Sequence, residues 1–247
     1  MKYMGSKNRI AKYIVPILQN DLDKNGYDGY LEPFVGGANL IDKVVHENRI
    51  GLDNQRYLIE FLKYVRDVNE YPKEIDKREY DKVRNFYNTG LGYYEDWYVG
   101  LVGFLASYNG RFFDGGYAKA ITTKSGKVRN YYNESVRNVS KQSPNLYDIK
   151  FYEYDFFYLD VEGFLIYCDP PYKGTKQYGI GIGFSHDDFW EKVRYLSEKN
   201  TVYVSEEYAP NDFEVVWEQD IVRSIDNRKR KKATEKLFKI KDKANDK

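Results

Sequence analysis

Four consecutive residues, Asp169, Pro170, Pro171 and Tyr172, follow the apolar run Phe164–Cys168. Ligands of open parallel sheets bind beyond the carboxyl ends of the strands, so chemistry is expected here. A carboxylate and a proline carbonyl can each accept one N–H of an aromatic amine and stabilise the positive charge that its nitrogen gains on alkylation. The prolines fix φ and lack donors, and the tyrosine can stack on a base. A plain turn after a buried strand is the alternative interpretation.

A glycine-containing segment, Glu32 to Ala38 (E-P-F-V-G-G-A), follows a short predicted strand at Tyr30–Pro33. Glycines after the first strand let a ligand approach the backbone, and the N-terminus of a following helix favours a ligand carboxylate. The segment does not match G-x-G-x-x-G, the pattern that binds dinucleotides, which disfavours a nicotinamide-dependent oxidoreductase. An ordinary glycine turn is the alternative.

Two further acids follow predicted strands. Asp53 ends the predicted strand Arg49–Asp53, where a carboxylate suits the hydroxyls of a ribose, although a helix N-cap is the alternative. Asp155 and Phe156 follow the predicted strand Lys150–Tyr154. There an acid can pair with an adenine amine and a ring can cover its face, although a loop acid beside a core ring is the alternative.

The N-terminal segment Lys2–Lys7 places an aromatic residue, a tight turn and an ammonium group directly before a predicted helix. Lys7 is predicted to bind a carboxylate, and a capped, solvated helix start is the alternative. Each of these segments is a weak or moderate signal alone. Their order along the chain is more informative than any one of them.

The elements that must position these residues follow a β-α-β-α order, which predicts a parallel sheet. Apolar spacing predicts helices at Lys7–Leu22, Ala38–Val45, Gln55–Val65 and His186–Glu198. Further strands are predicted at Phe164–Cys168, Thr201–Ser205, Phe213–Val222 and Lys236–Lys241. We therefore predict one α/β domain in two parts, residues 1–60 and 149–247, interrupted by an insertion at residues 61–148.

The charges of the chain are nearly balanced, with a formal net charge of +1 over 247 residues. Two stretches are basic: Trp97–Ser143 has seven Lys or Arg against two acids, and the segment from Arg223 onward has eleven against four. They indicate a localised anionic partner. The single cysteine, Cys168, and the lack of a membrane-length apolar run or signal peptide predict an intracellular, cytoplasmic protein.

Taken in order, these segments resemble the D12-class, Dam-like adenine-N6 DNA methyltransferases, the alpha group of amino-methyltransferases. The N-terminal cofactor motif, E-P-F-x-G, the ribose-binding acid, the D-F pair and D-P-P-Y all have counterparts along nearly the whole chain. One position departs from the family pattern F-x-G-x-G, because Ala38 replaces its last glycine. The resemblance implies the cofactor S-adenosylmethionine, bound by Tyr3, Lys7, Glu32, Phe34, Gly36, Gly37, Asp53, Asp155, Phe156 and Asp169.

The resemblance also implies a fold and a reaction. The fold is α/β, with a Rossmann-like class I methyltransferase sheet, mostly parallel and seven-stranded, and an inserted, mainly helical target-recognition domain. Asp169, Pro170, Pro171 and Tyr172 would transfer a methyl group to the N6 amine of an adenine flipped out of double-stranded DNA. A cognate restriction endonuclease is a further partner of such prokaryotic or phage enzymes. The implied DNA-binding residues are Tyr108, Asn109, Arg111, Lys119, Lys124, Lys127 and Arg129.

Other functions stay open on the residues alone. N4-cytosine methylation uses the same amine chemistry. A glutamine-N5 protein methyltransferase resembles N-P-P-Y, which the acid at position 169 disfavours. A non-catalytic DNA-binding module with a decayed cofactor site would account for Ala38. No metal is predicted, because His46, His186 and the single cysteine form no ligand cluster.

Overall fold

The computed structural model describes residues 1–123, 125–171, 184–224 and 230–241. Its strands are β1 (Gly29–Glu32), β2 (Arg49–Asp53), β3 (Ile121–Thr122), β4 (Val128–Arg129), β5 (Ile149–Glu153), β6 (Phe164–Cys168), β7 (Thr201–Glu206), β8 (Phe213–Ser224) and β9 (Arg230–Ile240). Its helices are α1 (Ala11–Lys24), α2 (Arg56–Asp67), α3 (Lys77–Thr89), α4 (Asp96–Leu105), α5 (Tyr131–Leu146) and α6 (His186–Ser197). None of the helices in these ranges has the length and apolar character that a membrane span requires.

Seven of these strands form one sheet in the order β5-β2-β1-β6-β7-β9-β8, and β3 and β4 form a separate hairpin. Strands β5, β2, β1, β6 and β7 run parallel, whereas β9 is antiparallel to both of its neighbours. In the centre, Leu31 of β1 lies opposite Ile50 of β2 and Ile166 of β6. The predicted seven-stranded, mostly parallel sheet is confirmed, and each strand predicted from the sequence overlaps an observed one.

Strand β6 is apolar along its length because both of its faces are covered. Leu165 and Tyr167 belong to the hydrophobic cluster that also contains Ile14 of α1. The alternate residues Ile166 and Cys168 belong to the second cluster, on the α6 side of the sheet. This two-residue alternation fixes β6 in the middle of the sheet, so the next residues of the chain emerge at the centre of its carboxyl edge.

Between β2 and β5 the chain forms α2 to α5 and the small hairpin, so this region is mainly helical as predicted. Helix α2 buries an apolar stripe that includes Leu58, Phe61 and Leu62. These residues belong to the same hydrophobic cluster as Tyr30 of β1, so the helices and the sheet share one core. The predicted boundary at residue 61 falls within α2, and the division into domains stays a prediction.

One predicted helix is wrong. Residues Ala38–Val45 form only a 3₁₀ turn at Ile41–Lys43. Ala38 has a φ of +52°, and Leu40 also lies outside helical backbone geometry, so no α-helix can run through the segment. The apolar spacing reflects burial instead, since Leu40, Ile41 and Val44 lie in the core. The glycine segment is therefore not followed by a helix N-terminus that could bind a ligand carboxylate.

Candidate active site

The parallel strands bring five acidic residues to one edge of the sheet. Glu32 ends β1, Asp53 ends β2, Glu153 ends β5, Glu206 ends β7, and Asp169 directly follows β6. Because these strands run in the same direction, their carboxyl ends lie along the same edge. The topology therefore unites the predicted catalytic acid with two acids predicted to bind the cofactor, and it adds Glu153 and Glu206, which were not predicted.

Lys7 is the basic partner of this acidic edge. Its Nζ lies 2.9 Å from Asp169 Oδ1 and 2.8 Å from Glu235 Oε1, and its side chain is only 8% exposed. Burial lowers the pKa of Lys7, but the two carboxylates outweigh burial and raise the pKa above its ordinary value. Lys7 therefore remains protonated and places a positive charge beside Asp169.

The local sequence positions this lysine. Ser6 Oγ accepts a hydrogen bond from Asn8 N at 3.3 Å and caps the 3₁₀ turn Lys7–Arg9 that precedes α1. The turn directs the Lys7 side chain under the sheet edge instead of into solvent. The carboxylates that Lys7 binds in the structure belong to the protein itself, so the helix start is capped but Lys7 is not solvated. Binding of a ligand carboxylate by Lys7 stays a prediction.

Glu32 lies beneath the edge and is almost fully buried. Its Oε1 accepts a hydrogen bond from the Tyr30 hydroxyl at 2.7 Å. Burial raises the pKa of Glu32 well above its ordinary value, although the bond from Tyr30 opposes this, and the nearby Asp42 and Asp169 raise it further. Glu32 is therefore protonated more readily than a solvated glutamate.

The glycine turn Gly36–Gly37 packs against the N-terminal segment. A Cβ at Gly36, whose φ is +48°, would lie 2.8 Å from Tyr3 Cε1, and a Cβ at Gly37 would lie 2.8 Å from Tyr3 Cβ. A larger residue at either position would displace Tyr3. The two segments predicted to bind the cofactor are thus in contact, and the close approach that requires glycine is to a side chain of the protein.

Asp53 anchors the same turn from the neighbouring strand. Its Oδ2 accepts a hydrogen bond from Gly36 N at 3.1 Å, and its Oδ1 accepts one from Gln55 N at 3.1 Å. Burial raises the pKa of Asp53 to about 6, although the backbone hydrogen bonds oppose this. The N-cap of α2 is Gln55, so the alternative interpretation of Asp53 as a helix cap is wrong.

Asp155 and Phe156 lie after β5, near the same edge. Asp155 Oδ1 accepts a hydrogen bond from Phe157 N at 2.9 Å and caps a short 3₁₀ turn. The buried ring of Phe156 lies 5.0 Å from that of Phe34, between centroids. Asp155 thus faces solvent, whereas the two phenylalanines form the core below it. A surface cavity of about 450 Å³ is lined by Asn54, Glu153, Tyr154, Asp155 and Tyr158.

The predicted catalytic tetrapeptide leaves β6 at the centre of the edge. The Asp169 carboxylate is 20% exposed and points towards Lys7, while Pro170 is buried and Pro171 half-buried. Tyr172 lies outside the described residues. An acid that pointed into the apolar core could not bind an amine, and Asp169 does not point there.

Two buried acids near Asp169 were missed from the sequence. Glu206 Oε1 accepts a hydrogen bond from Glu207 N at 2.9 Å, and in the described part of the chain Glu206 Oε2 has no partner. Burial raises the pKa of Glu206 to about 7. Glu235 lies on β9, its side chain is 3% exposed, and it forms an ion pair with Lys7. The sequence did offer a signal for Glu235. It lies two residues before the buried Leu237, so the two side chains share one face of the strand.

The predicted segment Tyr108–Arg111 forms a tight turn after α4. Asn109 and Gly110 have φ values of +58° and +65°. A Cβ at Gly110 would lie 2.3 Å from the carbonyl oxygen of Lys2, so this turn supports the N-terminal segment. The side chains of Tyr108 and Asn109 are exposed and Arg111 is half-buried.

The basic stretch that follows forms the predicted hairpin, with β3 antiparallel to β4. The side chains of Lys119, Lys127 and Arg129 are exposed, and Lys124 lies outside the described residues. The hairpin and the segment before it therefore present basic side chains to solvent.

One of these basic residues is already paired within the protein. Arg129 Nε and Nη2 donate to Glu134 at 2.7 and 3.0 Å, and Lys2 Nζ lies 3.3 Å from the same carboxylate. The Arg129 guanidinium also lies 4.7 Å from the centroid of the Tyr131 ring. The hydrogen bonds from Arg129 lower the pKa of Glu134 to about 2. We call Lys2, Arg129, Tyr131 and Glu134 the Glu134 cluster.

The sheet order, with an acid-proline loop emerging at the carboxyl end of its central strand, defines the class: this is a Rossmann-like methyltransferase. The chain belongs to the D12 class of N6 adenine-specific DNA methyltransferases, whose family model matches residues 3–244. It is thus an enzyme that methylates adenine in DNA, and the predicted family, fold class and reaction are confirmed. In the described ranges, no group of three or more His, Cys, Asp or Glu is arranged to hold a metal.

Among solved structures, the chain is similar to a Pyrococcus horikoshii protein described as a candidate RNA methyltransferase. The two are 11% identical with a TM-score of 0.43, over 96% of this chain and 85% of that one. None of the curated proteins compared with the chain matches it.

Proposed function

We propose that this enzyme transfers a methyl group from S-adenosylmethionine to the N6 amine of an adenine flipped out of duplex DNA. The observation that carries the proposal is the Asp169 carboxylate, held by Lys7 at the tip of the central strand with Pro170 next to it. An acid and a rigid carbonyl there accept the two N–H groups of an exocyclic amine, whose lone pair is then directed at an electrophile. The prolines add no competing donor.

The chemistry of the edge fits a nucleoside that carries a positively charged sulfur. Several carboxylates surround the single ammonium of Lys7, and such a field favours a cation. The cavity of about 450 Å³ beside Asp155 has a size that small ligands occupy. When bound, S-adenosylmethionine supplies an electrophilic methyl group.

We assign the predicted cofactor residues as follows. Asp53 would accept from the ribose hydroxyls, Asp155 from the adenine amine, and Lys7 would donate to the carboxylate of the cofactor. Asp169 would lie between the cofactor and the target base. The surrounding walls would be formed by Tyr3, Glu32, Phe34, Gly36, Gly37 and Phe156.

The residues of the chain act mainly by positioning and by electrostatics. Asp169 and the Pro170 carbonyl hold the amine, and Lys7 holds the Asp169 carboxylate in place. No strong base is needed before transfer, because an aromatic amine becomes acidic only as it is alkylated. Asp169 is then within reach of the proton that the alkylated nitrogen releases.

Stacking in duplex DNA hides the N6 amine, so the target base must leave the helix. We assign residues 61–148 to target recognition, and residues 1–60 and 149–247 to the two parts of the catalytic domain. The exposed basic residues would contact phosphates, and Tyr108 and Asn109 would contact base edges. Arg111 and Lys124 are assigned to DNA binding on the family resemblance, and Tyr172 would stack on the flipped base. A DNA substrate and a lone cysteine fit an intracellular enzyme, which can act alone or with a cognate endonuclease.

The test is Asp169→Ala. We expect methyl transfer to duplex DNA to fall by at least about 10³-fold, because the acid contacts the reacting amine. Transfer of a labelled methyl group measures the rate, and nucleoside analysis should identify N6-methyladenine and not N4-methylcytosine. Glu47→Ala, which removes an exposed acid far from the strand tips, is the matched control. Full activity in a folded Asp169→Ala variant would refute the assignment.

A further inference from the structure

The backbone of the glycine turn continues into Ala38 in a conformation that alanine rarely adopts. Ala38 has a φ of +52°, in the left-handed region, where its Cβ crowds the following carbonyl. Glycine is the residue that adopts this backbone without strain. Ala38 is completely buried, so water does not stabilise its backbone groups. Something in the protein must therefore hold it there, since strained residues persist only where their surroundings over-determine them.

Gln142 of α5 makes the contacts that hold this backbone. Its Nε2 lies 2.8 Å from the Ala38 carbonyl oxygen, 3.1 Å from that of Gly37 and 3.0 Å from Asp42 Oδ2. Its Oε1 lies against the Met1 amino nitrogen. The side chain is buried, so these bonds do not compete with solvent. One amide group thus binds two successive carbonyls of the turn.

The turn is held from its other side by the sheet. Gly36 N donates to Asp53 Oδ2, and Val35 N donates to Leu52 O at 2.8 Å. Strand β2 therefore fixes the amides at the start of the turn, and Gln142 fixes the carbonyls at its end. Ala38 N also donates to Val35 O at 2.9 Å. Without the amide of Gln142, the carbonyls of Gly37 and Ala38 would lose a buried donor, and the left-handed backbone of Ala38 would be held less firmly.

We propose that Gln142 is a positioning residue that holds the turn Gly36–Ala38 in its ligand-binding conformation and compensates for alanine at position 38. This inference rests on the proposed function, because it assigns the turn to the cofactor. Gln142 touches neither the cofactor nor the base in this scheme and acts through the backbone of the turn. Position 142 also has a sequence signal, since it continues the buried spacing of Val139 and Leu146 on α5 with a polar side chain.

The first experiment is Gln142→Met, which keeps the length of the side chain and removes the amide donor. We expect the Kd for S-adenosylmethionine, measured by calorimetry, to rise about tenfold, because two buried carbonyls lose a donor. The KM for the cofactor should rise with it, while kcat at saturating cofactor changes by less than about threefold. Ser143→Ala, at the neighbouring buried position of α5, is the matched control and should leave both unchanged.

The decisive experiment is rescue by Ala38→Gly. If Gln142 compensates for alanine, the Kd of Gln142→Met/Ala38→Gly should return to within about threefold of the parent. This double variant is compared with Ala38→Gly alone, so the test stands even if Gln142→Met by itself does not fold. Equal losses with alanine and with glycine at position 38 would overturn the inference, as would an unchanged Kd in Gln142→Met.

A second measurement separates this inference from the proposed function. Amide hydrogen exchange across residues 36–39, followed by mass spectrometry without cofactor, should be faster in Gln142→Met and return to the parent rate with Ala38→Gly. A parent protein that binds no S-adenosylmethionine would end the proposed function but leave this readout intact. Exchange rates that do not respond to Gln142→Met would end the inference while leaving the proposed function in place.

Discussion

Two groups of ion pairs in this enzyme have similar geometry and opposite surroundings. At the sheet edge, Lys7 binds Asp169 and Glu235 with a side chain that is 8% exposed. In the Glu134 cluster, Arg129 binds Glu134 at a comparable distance with a side chain that is 47% exposed. Both arrangements place basic nitrogens within 3.3 Å of a carboxylate.

The difference lies in what replaces a lost partner. If a buried pair loses its cation, water reaches the remaining carboxylate poorly, and the fold is strongly destabilised. If an exposed pair is broken, water and salt solvate both charges. The buried charges at the edge are therefore fixed in place for chemistry, whereas the exposed charges can exchange one partner for another. The variants below test this contrast, beginning with the largest expected effect.

Lys7→Met should give the largest effect. The variant removes the ammonium group that the buried Glu235 and the partly exposed Asp169 both bind, so the free energy of unfolding should fall by about 3–5 kcal/mol and methyl transfer should be lost. Urea unfolding measures the first quantity and labelled methyl transfer the second. Glu235→Gln, which leaves Lys7 paired with Asp169, should be affected less in both. A Lys7→Met protein as stable as the parent would mean that burial does not distinguish the two groups of charges.

Glu206→Gln tests a buried acid at the edge that forms no ion pair with any of the residues that the structure describes. Burial raises the pKa of Glu206 from 4.5 to about 7, so the folded protein binds this proton more tightly than the unfolded chain. The stability that the group contributes is complete below pH 4.5 and is lost as the pH rises through 7. Glu206→Gln should therefore gain about 1–3 kcal/mol over the parent between pH 5 and pH 8. Parallel stability curves for the two proteins would contradict the assigned titration.

Asp53 should make cofactor binding depend on pH. Burial raises its pKa to about 6, and only the ionised carboxylate accepts hydrogen bonds at both oxygens. The affinity for S-adenosylmethionine should fall as the pH drops below 6, by up to about tenfold per pH unit. Calorimetry on the parent and on Asp53→Asn checks this. Both proteins carry Glu206→Gln in addition, so that the titration of Glu206 does not contribute. Asp53→Asn should bind S-adenosylmethionine more weakly than the parent at pH 8, and its affinity should not change with pH. If the affinity of Asp53→Asn still changes with pH, another group is responsible for the titration.

The sequence predicted those parts of the site that depend on one segment alone. The strand tips at Asp53 and Asp169 followed from apolar runs that end in an acid, and the hairpin followed from the Gly-rich basic stretch. Ala38–Val45 was misassigned because its apolar spacing serves the core and the backbone turns left-handed at Ala38. The spacing of neighbouring apolar residues indicates that Glu235 and Gln142 are buried, but not what they bind, because their partners lie on elements far away in the chain.

Glu134→Gln, in the exposed Glu134 cluster, should give the smallest effect. Arg129 and Lys2 would lose a shared carboxylate, and both side chains would be free to contact a phosphate. Affinity for duplex DNA should rise about two- to fivefold at low salt and return towards the parent value above about 0.15 M salt, while the melting temperature stays within about 2 °C. Fluorescence anisotropy with a labelled duplex across a salt series measures the change.

Asp81→Asn is the matched control for that last variant, because it removes the same charge from an exposed ion pair with Lys77 on α3. If Glu134 competes with DNA for the basic residues of the hairpin, only Glu134→Gln should tighten binding and steepen its dependence on salt. Equal gains in both variants would show that net charge alone is responsible. In that case Glu134 does not compete with DNA for Arg129 or Lys2.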